Sequence, residues 1–193
     1  MPKKHFYEPK KLTTSGAPEV GRKNTKNTLS AQNFDALADH VMSSKSLRER
    51  ALMELVSSGA RSHGFIDLQR KHLTSMTNGL IIIKGNFTWA LPLSSFVNDF
   101  ASRNCSHPDD SLFPSPTNNA EPLSSQAFKE IFKTWLRSCN LDSNATPHSA
   151  RQAIIRRISI DNSLPPEALH KWIGQAVHPK TAAIYKSDGL AKF

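Results

Sequence analysis

TPHSARQAIIRR, residues 146 to 157, places a histidine and an arginine three apart, directly after a Thr-Pro pair. Thr146 is a good helix N-cap, and Pro147 suits the first helical position, where its missing N–H would be unpaired anyway. The spacing therefore predicts a helix that begins here. Ala150, Ile154, Ile155 and Ile158 recur at helical intervals and can be buried together. His148 and Arg151 then share one face of the opening turns. The free N–H groups and partial positive charge of a helix N-terminus favour an anion at that end. Taken alone, an H-x-x-R pair also fits an ordinary solvated surface, so the rest of the chain has to decide. Arg156 and Arg157 cannot both join that face, and we read them as phosphate-backbone contacts or solvated charges.

The 193 residues suffice for one domain with a substantial core and a short appendage. A formal charge of +9 favours a polyanionic partner, nucleic acid ahead of a membrane surface. The two cysteines, Cys105 and Cys139, lack metal-ligand spacing and read as reduced thiols of an intracellular protein, with a disulfide as the alternative. GLIIIKG is the densest apolar patch and is too short for a signal peptide or a membrane span, so a cytoplasmic location is expected.

Residues 1–28 carry seven Lys or Arg against two Glu, with Pro and Gly breakers, and read as a flexible basic arm. From residue 29 to 193 the pattern is globular. Ser30 can cap a helix through AQNFDALADHVM, and a second helix fits SLRERALMELVSSGA, closed by Gly59. GFIDLQ reads as a short helical piece. GLIIIKGNFTWALPL holds two β-rich runs around Gly85-Asn86, a hairpin or two strands of a small sheet. SSFVNDFASRN looks helical, and SHPDDSLFPSPTNNAEPL is a long loop. SSQAFKEIFKTWLRSC is strongly amphipathic, with Phe128, Ile131, Phe132, Trp135 and Leu136 inward. After the TPH helix come PPEALHKWIG and a short helix started by Pro179 that carries Tyr185. The expected fold is mainly α with a small antiparallel β-sheet, in the α+β class.

Read in this order, residues 29 to 188 resemble the catalytic domain of the tyrosine recombinases, the phage integrase family. SSGARSHGFIDLQ is similar to the segment carrying the family's first arginine, which implies a catalytic role for Arg61. IIIKGNFTWALPL resembles the hairpin whose lysine is functional, here Lys84. LFPSPTNNAEPLSSQAFKEIF looks like the stretch leading to the second half. TPHSAR resembles the H-x-x-R box, so His148 and Arg151 carry over, and WIGQAVHPKTAAIY resembles the closing segment with Tyr185 as nucleophile. Three departures stand out. Gln175 follows the glycine where the family has His or Trp, and the interval to Tyr185 is one residue longer than usual, which leaves His178 as an alternative for that role. Gly64 stands where an acidic residue is expected. The resemblance also implies a short form without the N-terminal core-binding domain of larger members.

The implied chemistry is coherent. Two arginines bind non-bridging phosphate oxygens bidentately and stay charged. A tyrosine with a pKa near 10 is ionised in only about one molecule in a thousand at pH 7, so His148 is the candidate base or proton relay. Lys84 can protonate the departing 5′ oxygen, and Gln175 can donate to the phosphate through its amide. A 3′-phosphotyrosyl link conserves bond energy, so no cofactor, neither ATP nor metal, is implied. Accordingly the chain has no G-x-x-x-x-G-K-[ST] and no carboxylate cluster suited to Mg²⁺.

The leading expectation is a site-specific recombinase that cleaves and rejoins double-stranded DNA, self-assembled into dimers or tetramers, nucleoid-associated and of bacterial or mobile-element origin. The alternative is a DNA-binding regulator on the same scaffold with weak or lost cleavage. A third reading, a nonspecific basic nucleic-acid binder, predicts steep salt dependence and no site preference.

Overall fold

The computed structural model describes residues 28–76, 79–84, 87–91 and 95–160. Nearly all of the basic arm, the PPEALHKWIG segment and the helix started by Pro179 lie outside the described residues.

Six helices and one sheet make up the described part. Helix α1 spans Ala31–Ser44 and α2 spans Leu47–Ser57; both start where the sequence offers a serine. The Ser30 hydroxyl accepts the Asn33 amide, and Ser46 and Glu49 form a reciprocal capping box. Just past the C-cap of α2 stands Gly59, whose φ of 73° is the left-handed geometry that glycine adopts without a Cβ penalty. One turn of helix, α3 (Ser62–Phe65), follows directly, with Arg61 at its N-cap. The expected GFIDLQ helix is thus shifted towards the N-terminus: Ile66 and Asp67 already lie in a turn.

A 3-10 turn at Arg70–His72 leads into the sheet, which has three antiparallel strands in the order β1-β2-β3. These are Leu73–Met76, Gly79–Lys84 and Phe87–Leu91. The two runs read from sequence are β2 and β3, and β1 is an addition. Leu73 pairs with Ile82, and Leu80 with Leu91. Alternation buries Leu80 and Ile82 and exposes Ile83, which is 50% accessible. Lys84 has the parity of Leu80 and Ile82, so its stem starts towards the inner face.

Helix α4 (Phe96–Asn104) sits against α2. Glu54 of α2 is buried, and its carboxylate accepts from the Ser95 hydroxyl and the Val97 amide, both at 2.9 Å, at the start of α4. The long loop through residue 123 is fastened to the segment before the sheet. Arg70 and Lys71 donate their amides to Asp110 and Pro108, and Leu112 donates to Leu68.

Helix α5 (Ser125–Ser138) lies through the core and buries Phe128, Phe132, Trp135 and Leu136. Ile131, expected inward, is only partly buried. Phe65 of α3 meets Phe128 edge-on at 5.4 Å, which fixes α3 to α5. The Trp135 indole N–H donates to the Glu49 carboxylate at 2.9 Å, the polar partner a buried indole needs. Helix α6 (Pro147–Ile160) packs on α1 and α2 and buries Ala150, Ala153, Ile154 and Ile155.

Candidate phosphate-binding site

Helix α6 begins as its sequence requires. The Thr146 hydroxyl accepts the Ser149 amide at 3.2 Å, and the Ser149 hydroxyl accepts the Thr146 amide at 2.8 Å. This reciprocal cap fixes the first turn, and with it His148 and Arg151.

Arg151 is buried, 7% exposed, and donates through Nη1 to the Gly59 carbonyl. That carbonyl belongs to the residue just past the end of α2, two positions before Arg61, so one main-chain turn joins the neighbourhoods of the two arginines. A guanidinium has five N–H groups in a rigid fork, and anchoring one edge orients the others. His148 is exposed at the surface, with its Nε2 3.2 Å from the Gln152 amide nitrogen. Its imidazole is held below its ordinary value near 6.5, by desolvation first and then by the charges of Arg151 and Arg61. It is therefore neutral at pH 7, the state able to take a proton.

Lys84 reaches the same segment from the sheet. Its Nζ donates to the Gly64 carbonyl at 3.4 Å and pairs with the Asp67 carboxylate. Gly64 belongs to α3, and its amide donates to the Arg61 carbonyl at 2.8 Å. Thus residues 59–67 collect all four groups: Arg61 belongs to them, Arg151 is tied to Gly59, Lys84 rests on Gly64 and Asp67, and His148 lies within the field of Arg61. Gln175 and Tyr185, and the alternative His178, lie outside the described residues.

Two neighbours escaped the reading of the sequence. Asp67 had no local signal, since its partner is 17 positions away and joins it only when the sheet folds back on α3. His72 accepts the Gln69 amide through Nδ1 at 3.0 Å, which requires that nitrogen to be unprotonated. Burial lowers its pKa, and the charges of Lys84 and Lys71 add to that. Among the described residues no group of three or more His, Cys, Asp or Glu could hold a metal ion. No helix among them is long and apolar enough to cross a membrane.

A mostly helical body with a small antiparallel sheet matches the catalytic-domain fold of the tyrosine recombinases, and in it Arg61, Lys84, His148 and Arg151 gather around one turn. The chain belongs to the phage integrase family, whose profile matches residues 27–188. Among solved structures it is similar to XerA recombinase, with a TM-score of 0.64 at 13% identity, covering 96% of this chain and 70% of that one. It is also similar to XerH site-specific recombinase bound to difH substrate in a pre-cleavage complex (TM-score 0.65, 17% identity, 83% of this chain). A third likeness is to the Tn1549 transposon integrase in complex with circular intermediate DNA (TM-score 0.61, 16% identity, 84% of this chain). The chain spans 50% of the XerH chain and 61% of the transposon integrase chain. No curated protein matches it in sequence.

Proposed function

We propose that this protein is a site-specific DNA recombinase that cleaves and rejoins strands through Tyr185. The observation that carries the reading is the convergence of Arg61, Lys84, His148 and Arg151 on residues 59–67. Double-stranded DNA is the partner in this reading, supported by the +9 charge and by two similar structures that hold DNA. Residues 29–193 form the catalytic domain, residues 1–28 a basic arm, and protomers assemble on DNA as dimers or tetramers.

In the proposed reaction the Tyr185 oxygen attacks phosphorus and passes its proton to neutral His148. The bond from phosphorus to the 5′ oxygen breaks, Lys84 supplies a proton to that oxygen, and the strand is left joined to the protein by a 3′-phosphotyrosyl ester. Arg61 and Arg151 bind the non-bridging oxygens, where negative charge builds. Gln175 donates a further hydrogen bond. Rejoining is the reverse, with a 5′ hydroxyl attacking and the tyrosine leaving, so no external energy source enters.

The test is covalent trapping. Nicked duplexes from beside the gene are incubated with the protein in EDTA, and denaturing gels are read for a protein–DNA adduct. The adduct is expected with the natural protein and absent in Tyr185→Phe, while Arg61→Lys lowers its rate roughly a hundred- to a thousandfold. Tight binding without an adduct would instead establish the regulator reading, which Gly64 and Gln175 motivate.

A further inference from the structure

We propose that Asp67 is a positioning residue for strand cleavage, holding the Lys84 ammonium against α3 so that its remaining N–H faces the leaving oxygen. The inference rests on the reading of Lys84 as general acid.

The geometry has three parts. Lys84 closes β2, two residues beyond the Leu73–Ile82 partners that end the β1 pairing, so the β1 ladder does not hold it. Its ammonium has three donors. Two are engaged on one turn of chain, one by the Gly64 carbonyl and one by the Asp67 carboxylate. Two acceptors on one turn fix a flexible four-carbon side chain in direction as well as distance, and the third N–H has no partner among the described residues. The turn is rigid because Phe65, between the two acceptors, is locked against Phe128.

Two physical arguments separate this role from an incidental ion pair. The pair contributes little to stability, since the Asp67 side chain is 47% exposed and exposed pairs are worth little. In addition, a carboxylate beside a group of cations that bind phosphate repels the incoming anion, so Asp67 works against DNA affinity. Its usefulness must therefore lie in the step after binding. His72 adds no competing positive charge here, because its Nδ1 is occupied as an acceptor.

The experiment compares ordinary DNA with DNA carrying a 5′-bridging phosphorothiolate, in which sulfur replaces the leaving oxygen. A thiol has a pKa of about 8.5, so the sulfur leaves without a proton and needs no general acid. Asp67→Asn, Asp67→Glu and Lys84→Ala are assayed on both substrates, with DNA affinity and thermal unfolding measured alongside. Asp67→Asn is expected to bind DNA at least as tightly and to unfold at an unchanged temperature. It should cleave ordinary DNA about tenfold or more slowly, a part of the contribution of a general acid, and cleave the phosphorothiolate at the natural rate. Asp67→Glu should recover much of the loss. Equal slowing on both substrates would overturn the proposal in favour of a structural role, and unchanged or faster cleavage of ordinary DNA would overturn it in favour of an idle or restraining pair. If Lys84→Ala itself is not rescued by the phosphorothiolate, the assignment of Lys84 as acid fails, and the role of Asp67 fails with it.

Discussion

His148 lies on the first turn of α6 in the field of two charged arginines, Arg151 on its own helix and Arg61 in the segment after α2. Desolvation disfavours the charged ring most, and the two arginine charges add to it, so the ring stays neutral at pH values where a free histidine would be half protonated. In a ¹H–¹³C titration of the free protein, the His148 midpoint is expected below 6.5. Arg61→Gln should move it upward by removing one of the two charges. A midpoint that stays put in that variant would show that the Arg61 charge does not reach the ring. The capped helix that carries His148 and Arg151 was legible from sequence, but their spacing alone fits a solvated surface, and it was the resemblance along the whole chain that singled them out. Asp67 was not legible, for it takes part only through a strand end that arrives from elsewhere in the chain.

At the scale of elements, the site depends on how α2 stops. Gly59 turns the chain out of the helix at φ 73°, presents its carbonyl to Arg151, and delivers Arg61 two residues later. A side chain at that position costs roughly 1–2 kcal/mol in the left-handed region. Gly59→Ala is therefore expected to lower the unfolding free energy by about that amount in a denaturant titration. It should also weaken phosphate binding more than an equally destabilising change in α4, because the carbonyl that orients Arg151 moves with the turn. Helices α1, α2, α5 and α6 could be read from capping residues and apolar spacing, which are local signals. Strand β1, only four residues long, escaped because LTSM carries no alternation of its own and is a strand only by pairing with β2. The α3 turn was misplaced because Arg61, not a conventional capping residue, occupies its N-cap.

At the scale of the molecule, His72, His148, Glu49 and Glu54 are among the described groups that tie stability to pH. His72 and His148 both have folded pKa values below the ordinary one. Below about pH 6.5 the unfolded chain takes up protons that the folded chain refuses, so stability is lost as pH falls from there towards the folded values. Glu49 works in the same direction at lower pH. Burial would raise its pKa, yet the Trp135 indole and the Ser46 hydroxyl and amide outweigh that and hold it low. Its contribution is present above the ordinary carboxylate value and lost as pH falls through the folded one. Glu54 runs the other way: burial pushes its carboxyl up, so the folded state binds that proton more tightly and stability declines as pH rises through the window above the ordinary value. The expected result is a denaturation midpoint that drops between pH 7.5 and 5.5, with the drop reduced in a His72→Asn, His148→Asn double variant. An unchanged drop in that variant would assign the dependence to other groups.

The link between Arg151 and Gly59 spans 92 positions of sequence. During synthesis, then, Arg61 emerges long before Arg151, and the contact that brings their neighbourhoods together forms only after α6 has been made and has docked on the earlier helices. On the proposed reading, a truncated or half-folded chain would carry the basic charge that favours DNA without the assembled pair of arginines that cleavage requires. In a protein proposed to cleave and rejoin DNA strands, the order in which the ribosome delivers the parts would itself be a safeguard.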